Sequence, residues 1–244
     1  VVELENRKIH NLFYTPPEKI TNREIIIEGE DTHHLKDVLR KGSKNVIYIV
    51  DGCGNCYKVR ISKIISSIIR ADILEKEYIK KKNIVDIELA FVPLKGLKND
   101  FIIEKGTELG LRRFFPFISK YSVLPDLSQN KIERFKRIAI SAMLQSQQYY
   151  CPEIIFQNDL DKFLEKFKEF DVVLLSDRNG SLEIPVGAKS ILYIVGPEGG
   201  FDESEIELLK EKGARLISLG PNRLRSETAA ITGLIKILTV YKAI

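Results

Sequence analysis

The 244-residue chain has no tryptophan, one methionine, three cysteines and three histidines. Three cysteines, an odd number, do not make a disulfide framework. Cys53-x-x-Cys56 has half the spacing of a zinc site, but no second cysteine pair or suitably spaced histidine follows, so no metal is expected. His33-His34 reads as the polar start of a short helix. No apolar run approaches the ~20 residues that a membrane helix needs, and no membrane association is expected. The opening Val1-Val2-Glu3-Leu4-Glu5 lacks the charged-then-apolar plan of a secretory leader, which with the cysteine count points to a cytoplasmic protein. Gly-x-Gly-x-x-Gly and the Walker-type Gly-Lys-Ser/Thr are both missing, which argues against ordinary dinucleotide or nucleoside-triphosphate binding.

Charge of one sign is scarce beyond the first third. Residues 1–83 hold 16 Lys+Arg against 12 Asp+Glu, whereas residues 84–244 hold 22 of each, so the whole net charge of +4 lies in the first part. An anionic partner would be drawn there first. A basic solvated surface with no partner would carry the same signature.

Two rhythms divide the chain. Within residues 12–78, short runs rich in β-branched residues (25–27, 46–50, 57–61 and 68–74) predict strands. Asp51-Gly52-Cys53-Gly54-Asn55 predicts a hairpin turn between two of them. Residues 33–40 predict the one helix, capped by Asp31 or Thr32. After the polar link Lys80–Asn83, strands and helices alternate. Residues 86–92, 171–175, 191–195 and 215–219 are apolar strand-like runs. Residues 99–109, 131–147 and 229–241 have helical character. Alternation of this kind predicts an α/β domain with a mostly parallel sheet. The expected organisation is a small β-barrel over 1–80 and an α/β domain over 81–244.

Two segments carry the chemistry. Val195-Gly196-Pro197-Glu198-Gly199-Gly200-Phe201 follows one apolar run. Leu219-Gly220-Pro221-Asn222-Arg223-Leu224-Arg225-Ser226-Glu227-Thr228-Ala229 follows another. Each leads into a helix, and loops at the ends of neighbouring strands would frame a cleft for a flat, polar ligand. Asp202 and Glu205 have capping-box spacing. A helix start beside a glycine-rich loop favours an anion, either a carboxylate or a phosphate. Taken alone, the first loop could equally be a tight strand-to-helix turn. In the second, Arg225 and Glu227 precede a helix that is apolar on nearly every side and must be buried in a core or a subunit interface. They are either a structural ion pair or groups that face a ligand.

These loops resemble the cofactor loops of the SPOUT class of RNA methyltransferases. More narrowly, they resemble the family that methylates N3 of a uridine in 16S ribosomal RNA. In that family Gly-Pro-Glu-Gly-Gly and Leu-Gly-x-x-x-Leu-Arg-x-Glu-Thr-Ala border the cofactor, and both stand here, at Gly196–Gly200 and Leu219–Ala229. His-x-x-x-Val-Leu-Arg matches at His34 to Arg40, and Glu104, Lys105, Glu108, Leu109 and Gly110 match a third stretch. The similarity runs in order over nearly the whole chain.

The resemblance implies a PUA-like RNA-binding barrel followed by a SPOUT domain with a deep trefoil knot, working as a homodimer on 16S rRNA of the small ribosomal subunit. S-adenosylmethionine would be the cofactor, contacted by Leu175, Val195, Gly196, Pro197, Glu198, Gly199, Gly200, Leu219, Gly220, Leu224, Arg225 and Thr228. His34, Arg40, Lys41, Lys44 and Lys58 would meet RNA. Uracil N3 must lose a proton to become nucleophilic. A cation stabilises the resulting imide anion, and Arg225 is the first candidate for it. Glu227 or Glu198 would orient the base or accept the proton.

The chain departs from the family in one stretch. Where the family has Ala-x-Glu-Gln-Ser-x-Arg, this chain has Ala142-Met143-Leu144-Gln145-Ser146-Gln147-Gln148, with both charges replaced. The loop Lys41–Asn45 also lacks the common Gly-Asp. The alternatives are therefore a SPOUT enzyme acting on another RNA, and a non-catalytic RNA-binding or ribosome-assembly factor.

Overall fold

The computed structural model describes residues 12–28, 35, 45–81, 83–122 and 126–244. The helix expected over 33–40 lies outside the described residues apart from Leu35, which is buried. The chain folds into two units. The first runs to Lys81 and adds Met143–Cys151; the second comprises Lys82–Ala142 and Pro152–Ile244.

The first unit contains β1 (Leu12–Tyr14), β2 (Glu24–Glu28), β3 (Val46–Val50), β4 (Asn55–Ile65) and β5 (Ile68–Tyr78). They form one sheet in the order β1-β3-β4-β5-β2, with β1 parallel to β3 and every other pair antiparallel. Among the described residues β1 and β2 are the sheet's edges. Alternation places Ile25, Ile27, Ile47, Ile49, Ile61 and Ile69 on one face, in a core shared with Phe13 and Leu35. The turn between β3 and β4 is tied by Asp51. Its Oδ1 accepts from the backbone N–H groups of Cys53 (2.8 Å) and Asn55 (3.1 Å), and its Oδ2 from Asn55 Nδ2 (2.6 Å).

Residues 143–151 then complete this unit from far along the chain. Gly54 N donates to the Tyr149 carbonyl and Cys151 N to the Gly52 carbonyl, each at 2.9 Å. Leu144, Tyr149 and Cys151 pack with Leu12, Tyr14, Tyr48 and Ile79 around Val50, Cys56 and Met143.

The second unit holds β6 (Asp86–Phe91), α1 (Lys98–Glu108), β7 (Arg113–Pro116), the larger part of α2 (Gln129–Gln145), β8 (Glu153–Ile154), α3 (Leu160–Glu165), β9 (Val172–Ser181), β10 (Ser190–Val195), α4 (Glu203–Glu211), β11 (Ala214–Ile217) and α5 (Ser226–Val240). Its six strands run in the order β11-β9-β10-β6-β7-β8, and every pair is parallel. The α/β expectation with a parallel sheet therefore holds. Central β6 and β10 are buried after their first residue, as strands covered on both faces must be. One face packs Leu175, Leu192 and Ile194 with Phe163, Phe167 and Leu209. From the other face Tyr193 reaches α5 and donates its hydroxyl to the Ala229 carbonyl at 3.0 Å.

The sheet departs from regularity in β9. Leu175 pairs with Leu216, but the next β11 residue, Ile217, pairs with Ser181. Residues 176–180 are thus looped out of the ladder, and Ser218 N closes it again on the Ser181 carbonyl at 2.8 Å. Gly180 permits this crossing, because a Cβ there would stand 2.5 Å from the Ile217 backbone. We expect Gly180→Ala to cost about 1–3 kcal/mol through forced backbone displacement. Chemical denaturation checks this, and unchanged stability would mean that the crossing is not constrained.

Candidate active site

The carboxyl ends of β10, β9 and β11 frame a crevice of about 330 Å³. This is where ligands bind in parallel α/β sheets, and the volume falls in the range of small-molecule sites. Its walls come from three segments: Ser176–Arg178, Val195–Phe201, and residues from Ser218 to Ala229. The two signature loops do not belong to neighbouring strands, since β9 lies between β10 and β11.

Of the residues expected at the cofactor, Val195, Gly196, Pro197, Glu198, Gly199, Gly200, Leu219, Gly220 and Leu224 line this crevice. Leu175, Arg225 and Thr228 do not. Leu175 points into the apolar core on the sheet's other side. Arg225 stands at the N-cap position of α5, without a side-chain capping bond, and lines an adjoining hollow. Thr228 is exposed one residue before the lining Ala229. Gly196 has a packing reason as well as a ligand-facing one, because a Cβ there would stand 2.9 Å from the Phe201 ring. Gly220, with φ +129°, makes the turn after β11.

The sequence reading missed Ser176, Asp177 and Arg178. Their signal is the polar Ser-Asp-Arg-Asn-Gly run directly after an apolar strand. Asp177 Oδ1 accepts from Asn179 N at 2.8 Å, which shapes that excursion. Tyr193 is wholly buried beneath it. Burial raises the phenol's pKa, and a hydrogen bond with the Ser176 side chain pulls it partly back.

The start of α4 is not open to a ligand's carboxylate in the way the sequence suggested. Asp202 and Glu205 close the capping box on each other, with Glu205 N to Asp202 Oδ1 at 2.8 Å and Asp202 N to Glu205 Oε2 at 3.1 Å. Glu205 Oε1 also accepts from Lys120 N at 2.7 Å, and Lys120 Nζ pairs with Asp202. The protein's own carboxylates occupy this helix end.

The adjoining hollow, about 380 Å³, is lined by Lys98, Glu198, Arg223, Leu224 and Arg225. Glu198, Arg223 and Leu224 also line the crevice, so the two cavities share a wall. Glu198 pairs with Lys98, and Arg223 Nη2 donates to the Glu198 carbonyl at 3.2 Å. Lys98 holds the Glu198 carboxyl below the usual range, helped by Arg225 and Lys95. Glu227 lines neither cavity. It sits in the first turn of α5, and among the described residues its buried Oε2 has no hydrogen-bond partner.

His34, Arg40, Lys41 and Lys44 lie outside the described residues. Lys58, on β4, pairs with Glu75 at 2.5 Å. Of the Cys53-x-x-Cys56 pair, Cys53 is exposed and Cys56 fully buried. Burial, with Glu77 and Asp51 adding, pushes the Cys56 thiol up to about 12. Among the described residues no three His, Cys, Asp or Glu gather as metal ligands, and no helix is long and apolar enough to cross a membrane.

The RNA methyltransferase domain family matches residues 80–238. The chain is 33% identical over 212 residues to ribosomal RNA small subunit methyltransferase E of Mesomycoplasma hyopneumoniae, covering 85% of this chain and 90% of that protein. It is 29% identical over 223 residues to the Bacillus subtilis protein of the same name, covering 85% and 87%. Among solved structures, ribosomal RNA small subunit methyltransferase E of Neisseria gonorrhoeae, bound to S-adenosylmethionine, superposes with a TM-score of 0.79 at 26% identity, covering 94% of this chain and 97% of that one.

The Asp202 carboxyl is held well below the usual carboxylate range by Lys120, then by Ser204 and the Glu205 backbone. A folded-state value below the unfolded one stabilises the fold fully above the ordinary value of about 3.9, and this contribution fades as pH falls from there to the depressed folded value. We therefore expect wild type to be more stable than Asp202→Asn at pH 7, with the gap narrowing below about pH 4. Denaturation curves at pH 7, 4 and 3 check this, and a constant gap would remove the cap's ionisation as its source.

Proposed function

The chain belongs to the RNA methyltransferase family that includes ribosomal RNA small subunit methyltransferase E, and from that membership we propose that it methylates N3 of a uridine in 16S rRNA, using S-adenosylmethionine. The observation that carries the proposal is the crevice, where two glycine-bearing loops and the β9 excursion meet at the carboxyl ends of three parallel strands. Its size and backbone-rich walls suit a flat, polar cofactor with a charged tail. S-adenosylmethionine held there supplies a sulfonium-activated methyl group.

The chain's own residues then do three things. The loops align the methyl donor with the incoming nitrogen, the main requirement of an in-line displacement. Glu198 stands on the wall shared by crevice and hollow, so its carboxylate can accept the N3 proton. Arg225, in the hollow, stabilises the imide charge that builds on the uracil oxygens. Glu227 orients the base's environment through its unpartnered buried oxygen, an acceptor that lacks a donor. N3 lies on the Watson–Crick edge, so the uridine is taken unpaired or extruded.

The same reading takes the first unit as a PUA-like RNA-binding barrel, in which His34, Arg40, Lys41, Lys44 and Lys58 hold backbone phosphates. It takes the second unit as a trefoil-knotted SPOUT domain that works as a homodimer. Support for the dimer comes from α5. Its inner face is buried, while Ile235 and Val240 are 43% and 39% exposed. Isolated apolar residues are ordinary on a surface, but two on one already apolar helix favour a partner.

Incubating the protein with labelled S-adenosylmethionine and unmodified small subunits, then reading nucleosides by mass spectrometry, tests the reaction. We expect 3-methyluridine, and a methyl on any other nucleoside would overturn the assignment. Arg225→Ala should lower kcat by about 10²–10³-fold while leaving cofactor affinity intact; weakened cofactor binding with normal turnover would remove Arg225 from the chemistry. Ile235→Glu should shift the mass in solution from dimer to monomer, and a wild type already monomeric would sink the dimer.

A further inference from the structure

We propose that Lys98 and Arg223 form a phosphate subsite beside the crevice, and that in the free protein the Glu198 carboxylate holds the place a backbone phosphate of the RNA takes. The proposal rests on the reading of RNA as substrate and assigns the two cations a role which that reading did not give them.

Three cations, Lys98, Arg223 and Arg225, line the hollow together with one acidic residue, Glu198. Lys98 pairs with its carboxylate directly, and Arg223 bonds the carbonyl of the same residue. Lys95 and Arg225 act on it through their charge. A structural ion pair needs one cation; the others are a surplus of positive charge around a hollow of about 380 Å³. Like charges so gathered repel unless an anion joins them. Lys98 opens α1, so the amino end of an 11-residue helix adds its partial positive charge to the same place.

The hollow is also in the right position. It shares Glu198, Arg223 and Leu224 with the crevice, so a phosphate in it would set the attached nucleotide at the crevice mouth. The Glu198 side chain is half exposed and Lys98 about a third, so the pair can separate at small cost. When a phosphate takes Lys98, Glu198 is released from the cation that lowers its basicity and becomes a stronger base. Docking of the RNA backbone and readiness for proton removal are then one event.

RNA binding is measured against salt, using unmodified small-subunit rRNA with S-adenosylmethionine present. Lys98→Ala and Arg223→Ala should each flatten the slope of log K against log salt by about 0.7 for a single-stranded contact. Glu198→Gln, which removes the placeholder, should tighten RNA binding about two- to fivefold at low salt. A merely structural pair predicts the opposite, because breaking it would loosen the site. Lys98→Arg and Arg223→Lys should keep the wild-type slope, and calorimetry should find cofactor affinity unchanged in Lys98→Ala, whose side chain lines the hollow and not the crevice.

Unchanged slopes in the alanine variants, weaker binding by Glu198→Gln, or no measurable RNA binding would each overturn the subsite. Because the readout is binding, altered slopes without 3-methyluridine would leave the subsite standing and sink the uridine assignment. Turnover with unchanged slopes would sink the subsite alone.

Discussion

The crevice depends on one constraint in the sheet: β9 must leave β11 after Leu175 and rejoin it at Ser181. An unbroken ladder would carry Ser176–Gly180 alongside β11 as ordinary strand. Those residues instead arch out and supply the wall between the two glycine-bearing loops. Gly180 passes against the Ile217 backbone, and the buried Tyr193 phenol of β10 donates to the Ala229 carbonyl at the start of α5. A phenol wholly removed from water needs a partner, so this bond fixes where the helix stands against β10.

Much of this was legible in the sequence because burial on both faces leaves a plain trace. The apolar runs at 191–195 and 86–92 became β10 and β6, and the Asp202–Glu205 spacing became a capping box. What could not be read was order across the sheet. Nothing in the spacing of residues shows that β9 inserts between β10 and β11, so Ser176–Arg178 went unnoticed although they line the crevice. Short strands with mixed composition were also missed, such as Arg113–Pro116, whose pairing with β6 and β8 defines it more than any local preference does. Helical apolarity on every side correctly marked α5 as a packed element, but it did not tell which face meets β10. The contact of Tyr193 with Ala229 does.

The stretch that departs from the family pattern also has a physical account. Leu144 packs among Leu12, Tyr14 and Tyr48, in a cluster built on Val50, Cys56 and Met143, where an unpaired carboxylate would be costly. Gln148 Nε2 bonds Ser146 Oγ at 3.1 Å, and Gln148 N bonds the Met143 carbonyl at 2.9 Å, which closes the end of α2. Leu144 lies in the last turn of α2 and Gln148 beyond its end, past Gln147 at φ +57°, so the two replaced positions are not helical neighbours. The segment serves here as packing for the first unit. Gln145 and Ser146 are kept from the family pattern.

Glu198 concentrates the functional argument because it belongs to two cavities at once. A carboxylate that only oriented a cofactor would need to face the crevice. One that only balanced a cation would need to face Lys98. Its position on the shared wall lets it do either, and the choice is set by what else occupies the hollow. With Lys98 as its partner it is strongly ionised and a weak base. Once another anion takes that lysine, its carboxyl returns toward the ordinary range and proton transfer to it becomes easier. The cost of keeping the base subdued in the free protein is small, because the pair is partly solvated. In the proposed reaction the base is strengthened when the RNA backbone docks, so one carboxylate would link recognition of the RNA backbone to removal of the proton.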